Sequence, residues 1–397
     1  MLKVSKVLVL SLLVVGLCAP LALATTSRVQ ALAGAGSYIN DDSDIFRWYG
    51  TLPSYSKMVM AEVGDINVSS SYETSSLYQA LGFTHNWGED HWLGTWGIFL
   101  MRNSIEDQSY YLFNPLPTLG LGPAHPSTKF AITWGKDLGQ LSLGLMFTRS
   151  DVMTKLPGGS EEDLNFMTLG GGVRWDMSDK TYLDAAVTLG TAGGDTLGGF
   201  DSSTSYNLEA RIFWEFMDNA TLVPFVAWRA ADFALADVAA TSGDKWSDVM
   251  LGASFDFDVN TNNMLVFATE VEFYNWEPSK KATGDQEELT VNVLPRFYVA
   301  LESDITSWFT ARVGATKTMA KVTAKDSAGD ETVVTNPELI DPLFDDFAWF
   351  LGGGFHIGEW DIDAVFDPAM PFRLGYWLTG YSSSTPPVGR VSATYRF

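Results

Sequence analysis

The sequence predicts an all-β chain folded as one transmembrane antiparallel β-barrel of about sixteen strands. Long runs alternate apolar with polar residues, and short turns interchange with long polar segments. No stretch after residue 24 offers the ~20 apolar residues that a spanning helix needs. Aromatics make up 13% of the chain and charged residues only 18%, a balance expected when every second residue faces lipid.

Residues 1–24 read as a secretory signal peptide. Lys3 and Lys6 precede an apolar run over 7–15 broken only by Ser11, and Ala22-Leu23-Ala24 forms a small-x-small cleavage site. The only cysteine, Cys18, lies in this peptide, so cleavage leaves no disulfide or thiolate chemistry. Residues 25–56 read as an N-terminal periplasmic or hatch segment, and 57–397 as the barrel.

Tight turns are predicted at 88–91, 137–140, 177–180, 217–220, 260–263, 304–307 and 356–359, each supplied with Asn, Asp, Gly or Ser. Longer segments at 103–126, 151–163, 191–203 and 321–344 fall between them. This asymmetry puts short turns in the periplasm and long loops outside. The strand over 207–216 sets Leu208, Ala210, Ile212, Trp214 and Phe216 against Glu209, Arg211 and Glu215. Over 248–259, Leu251, Ala253, Phe255 and Phe257 oppose Ser254, Asp256 and Asp258. Over 290–302, Val291, Val293, Pro295, Phe297, Val299 and Leu301 share one face, and Arg296, Tyr298 and Glu302 the other. A one-residue slip would push charges into lipid at ~2–4 kcal/mol per basic residue at the midplane, so register is well specified. Counting from 57–64 to 388–397 gives sixteen strands, or fourteen without the first strand and 361–366.

The polar face places Arg174, Asp184, Glu209, Arg211, Arg229, Asp256, Glu270, Glu272, Arg296, Arg312 and Arg390 in the lumen. Charges of both signs there need water or each other. They therefore line a hydrated, selective pore or pair across a closed one. The long segment 103–126 could fold inward and narrow such a pore, or stay at the surface.

The end of the chain, Arg390 to Phe397, resembles the closing strand of bacterial outer-membrane barrels, which end on Phe with an aromatic two residues earlier. The resemblance implies an outer-membrane location and makes Tyr395 and Phe397 a C-terminal signal for the barrel-assembly machinery. Gln30-Ala31-Leu32-Ala33-Gly34-Ala35-Gly36, followed by Asn40-Asp41-Asp42-Ser43-Asp44-Ile45-Phe46, resembles the start of the outer-membrane long-chain fatty-acid transporter family. That resemblance implies an N-terminal hatch inside the barrel, past which hydrophobic compounds cross. The family's Asn-Pro-Ala after the acidic cluster is absent; Arg47-Trp48-Tyr49-Gly50 stands there.

A net charge of −23 excludes binding to nucleic acid through its phosphates. The histidines His85, His91, His125 and His356 show no catalytic or zinc arrangement, so a non-enzyme is expected. Gly170-Gly171-Gly172 lacks the Lys-Ser/Thr of a phosphate loop, and the acids at 161–163 and 345–346 lack the spacing of a calcium loop, so no cofactor or metal is expected. Expected partners are outer-membrane lipid, lipopolysaccharide and small solutes. The functional expectation is passive or gated diffusion of small polar solutes. Hydrophobic uptake past the hatch and a non-conducting structural or adhesive barrel are the alternatives.

Overall fold

The computed structural model describes residues 26–65, 77–88, 92–102, 128–155, 161–193, 200–235, 244–277, 288–325, 330–335, 347–366 and 388–397. The proposed signal peptide, His91, His125, the 103–126 segment and the acids at 345–346 lie outside these residues.

Antiparallel strands close on themselves. They are β1 (Met58–Asp65), β2 (Leu77–Asn86), β3 (Thr95–Arg102), β4 (Thr128–Asp137), β5 (Leu141–Lys155), β6 (Glu161–Ser178), β7 (Thr181–Gly193), β8 (Phe200–Met217) and β9 (Ala220–Leu235). Then follow β10 (Asp244–Asn260), β11 (Asn263–Glu277), β12 (Glu288–Thr306), β13 (Phe309–Lys325), β14 (Glu331–Thr335), β15 (Phe347–Ile357), β16 (Trp360–Phe366) and β17 (Val388–Arg396). Each pairs with its sequence neighbour, except that β13 pairs with β15 low on the strand and with β14 above it. The wall thus has sixteen positions. β1 closes it against β17, from Met58↔Arg396 to Gly64↔Arg390. Both strands that put the count in doubt, β1 and β16, are present, so the fourteen-strand alternative falls.

Six of the tight turns are described in full, and local chemistry explains them. The backbone N–H of Gly139, at φ +92°, donates to Asp137 Oδ1 at 2.8 Å, and that of Asn262 donates to Asn260 Oδ1 at 2.9 Å. At the opposite end the strands run further than the sequence suggested. β5 reaches Lys155, β6 starts at Glu161, and β7 and β8 extend to Gly193 and from Phe200. Antiparallel pairing continues wherever residues can keep satisfying each other's backbone groups, and Thr, Ser and Val there favour it.

Alternation sets two faces. Leu81, Leu100, Leu145, Leu169, Leu208 and Phe267 are exposed outside, while their sequence neighbours turn inward and are buried. One predicted face is corrected. Val293 pairs with Glu272 and Arg296 with Glu270, so Leu294 and Pro295 bulge out of the ladder on both sides of β12. Pro295 has no N–H to donate, and the extra residue reverses the alternation. Val291 and Val293 therefore point inward with Tyr298 and Ala300, while Leu294, Phe297 and Val299 face outward.

Candidate functional site

The segment before β1 packs against the inner wall as a plug. It comprises a short helix, α1 (Thr26–Ala31), and 3-10 turns at Asp42–Phe46 and Tyr49–Tyr55. Asp41 caps the first 3-10 turn: Ser43 N–H donates to its Oδ1 at 3.1 Å, and Asp41 N–H donates to Asp44 Oδ2 at 3.2 Å. Leu32, Tyr38, Ile45, Phe46, Trp48 and Leu52 are buried. Burying each such side chain contributes on the order of 1.5–3 kcal/mol toward keeping the plug seated.

Wall glycines form the seat. A Cβ on Gly144 would lie 1.7 Å from Tyr49 O, and one on Gly170 would lie 2.2 Å from the Tyr49 ring. The glycine run at 170–172 thus serves close approach of another backbone.

Ion pairs lock the plug to the wall. Arg211, buried on β8, donates to Asp44 at 2.6 Å, to Asp184 at 3.0 Å and to the carbonyls of Ile39 and Gly36. Its guanidinium lies 4.5 Å from the Trp48 ring centroid. Arg174 holds Asp184 through two bonds of 2.7 and 2.8 Å and reaches Asn40. Plug Arg47 pairs with Glu209, and plug Tyr38 donates to Glu270 at 3.2 Å. Plug Arg28 holds Glu302 at 2.8 and 2.9 Å, and Arg312 bridges Glu302 and Asp363. Arg390 donates to Thr26 at 2.6 Å beside Glu62. At the turn end, Arg396 grips Asp42 through two 2.8 Å bonds and also holds Asp361.

On the wall itself, Arg296 holds Glu270, the acceptor of Tyr38, at 2.6 Å and Glu272 at 3.2 Å, and Arg229 pairs with Asp248 at 2.6 Å. Asp256 accepts from Ser254 at 2.8 Å. Of the candidate lumen residues, Arg174, Glu209, Arg211, Glu270 and Arg390 each contact the plug directly. The lumen candidates read from sequence did not include Glu62, Asp248, Asp363 and Arg396, nor Glu302, although Glu302 was read on the same face as Arg296. Asp248 shares the parity of Asp256, a signal that would have found it.

Burial governs the plug acids. It pushes the Asp44 carboxyl up to about 6, against the pull of Arg211. It pushes Asp42 up to about 7, helped by Asp41 and opposed by Arg396.

Between plug and wall at the turn end lies a cavity of about 350 Å³. Asp41, Asp42, Glu302, Asp304, Asp361 and Asp363 line it, against Arg28, Arg312, Arg396 and His356. One row in it was not foreseen: Thr310 Oγ1 lies 2.9 Å from His356 Nε2, and His356 Nδ1 lies 2.7 Å from Asp361. Thr310 also donates to Asp304 at 2.6 Å. The single Thr310 proton therefore goes to a carboxylate, and its oxygen faces His356 Nε2 as an acceptor.

Tyr395 and Phe397 close the wall beside β1, with ring centroids 6.2 Å apart, and Phe397 stacks on His85 at 5.9 Å. Trp87, Trp92, Trp175 and Trp214 are exposed on the outer face, where headgroup girdles lie.

A closed barrel that is greasy outside and satisfies its charges inside meets the demands of a bilayer. The chain is a bacterial outer-membrane β-barrel.

No protein-family model matches the sequence, and no curated protein matches it. Solved structures similar in fold include CdiB from Escherichia coli at 12% identity and TM-score 0.44, covering 85% of this chain and 63% of that one. This chain therefore spans less than two thirds of CdiB. The Pseudomonas putida toluene transporter TodX is similar at 9% identity and TM-score 0.44, over 93% of this chain and 97% of that one. The Acinetobacter baumannii outer membrane channel DcaP is similar at 9% and 0.39, over 75% and 94%.

Proposed function

We propose that the protein is a gated outer-membrane channel for small polar solutes, with residues 26–55 as its gate. The ring of ion pairs joining plug to wall, Arg211–Asp44, Arg28–Glu302, Arg47–Glu209 and Arg396–Asp42, carries this reading. Charged contacts can exchange for water when the plug shifts, and they leave a hydrated, charge-lined wall behind. A purely structural barrel could use about eight strands, whose lumen wall side chains fill, and would need no separate inserted segment.

Single-channel recording of the mature protein and of a variant lacking residues 26–55 tests this. Low or flickering conductance from the intact protein and steady ohmic steps from the variant are expected. Silence from a variant shown to be a folded barrel rejects the channel.

A second reading, uptake of hydrophobic compounds past the plug, draws on inward-facing Phe166, Val291, Val293 and Val322, which form an apolar patch on the upper wall. It predicts saturable uptake of toluene or dodecanoate into vesicles holding the protein.

A further inference from the structure

Above the plug, toward the end opposite the tight turns, the inner wall carries polar atoms that nothing answers. Trp246 Nε1, Asp248 Oδ1, Ser203 Oγ and Ser205 Oγ are buried without a hydrogen-bond partner among the described residues. Their residues are 3%, 2%, 1% and 1% exposed. A buried polar group left unanswered is costly, so several on one surface call for an occupant.

The sheet register groups them. Ser205 and Trp246 are both registered against Ala231, one strand to either side. Asp248 lies against Arg229 on one side and Tyr274 on the other, one inward-facing step nearer the plug, and Ser203 lies one such step above Ser205. The rings of Trp246 and Tyr274 stack at 5.9 Å and 27°, packed with Val291 and Val293. The patch therefore presents an indole donor, a carboxylate acceptor and two hydroxyls, set into an apolar, aromatic bed.

We propose that this patch is a binding site for a neutral saccharide. A sugar ring carries several hydroxyls that both donate and accept, and its C–H face packs on aromatic and aliphatic surface. It can answer Asp248 Oδ1 with a donor, Trp246 Nε1 with an acceptor and each serine with either. A fatty acid answers less well. Its carboxylate would meet Asp248, whose other oxygen already holds Arg229 at 2.6 Å, and its chain would leave both serines unmet. A solute cation would pair with Asp248 but not with the indole N–H. The inference deepens and rests on the reading of a polar-solute channel, since it names the solute class on the same conduit.

The test is calorimetric titration of the full mature protein in detergent with glucose, galactose, N-acetylglucosamine, maltose and trehalose, beside dodecanoate. Saturable binding of at least one sugar is expected. Trp246→Phe, which keeps an aromatic ring but loses the indole N–H, and the Ser203→Ala/Ser205→Ala double variant should each weaken it at least tenfold. Trp214→Phe on the outer face should leave it unchanged. The heat-dependent gel shift of a closed barrel checks folding, and the serine variant stands in should Trp246→Phe not fold. No binding of any of these sugars to the folded protein, or equal binding by the patch variants, overturns the site. So does dodecanoate binding that depends on the same residues. Conductance is read on the same preparations: channels without sugar binding sink the saccharide alone, whereas absence of current after removal of residues 26–55 sinks the channel reading.

Discussion

Arg211 is the point where wall and plug are most tightly joined, so it is where a single substitution should tell most. Truncation to Ala leaves Asp44 buried without its cation, while Asp184 keeps Arg174. Stranding one member of a buried pair costs about 3–5 kcal/mol. Arg211→Ala should therefore leave a folded barrel with a loosened plug, read as trypsin cleavage after Arg47 that is protected in the parent protein. Protonation acts at the same contacts. Asp44 sits at about 6 and Asp42 at about 7 in the docked plug, both above the ordinary 3.8 of an exposed Asp. Arg211, Asp184 and Asp41 surround Asp44; Asp41, Arg396 and Asp361 surround Asp42. Between pH 4 and 7 the docked state thus binds more protons than the released one, and docking strengthens as pH falls through that window. Conductance should decline from pH 7.5 to pH 5, and Asp44→Asn should flatten that decline.

At the scale of single elements, β12 shows what parity can and cannot reveal. In β8 regular pleating sets Glu209 and Arg211 on one face, where they meet plug Arg47 and Asp44. In β12 the same reading fails for Val291 and Val293, because parity counts residues and a bulge adds one. Pro295 was the available signal, since a residue without an N–H leaves a ladder bond unmade and favours a bulge. The segment at 25–56 was legible as a unit apart from the barrel, and its resemblance to a transporter family implied a hatch. Its pairings were not, because Arg47 and Glu209 lie 162 residues apart and no local pattern joins them. Strand geometry also yields a prediction. Three steps on β12 oppose two on both β11 and β13 between Val293 and Arg296. Deleting Pro295 should regularise both ladders and keep every other side chain on its present face, so a heat-modifiable barrel should still form. Deleting Ala253 from regular β10 should invert Asp248 and Trp246 into lipid and abolish it.

Across the whole molecule, the distribution of charge sets what a conducting state would pass. The turn-end cavity holds six carboxylates against three guanidiniums and one histidine, and the chain as a whole carries −23. Field lines focus in a narrow, charge-lined passage with low-dielectric walls, so local excess counts for more than the distant surface. The open channel should therefore favour cations, seen as a reversal potential of that sign under a salt gradient and weakening as ionic strength shortens the Debye length from ~10 Å at 0.1 M to ~3 Å at 1 M. Asp304 and Asp363 belong to the wall, so this preference should survive removal of residues 26–55, although Asp41 and Asp42 leave with the plug. Neutralising Asp304 and Asp361 together should move the reversal potential toward zero. An anion-selective channel would mean that the arginines of the inner wall, not this cavity, set the narrowest field.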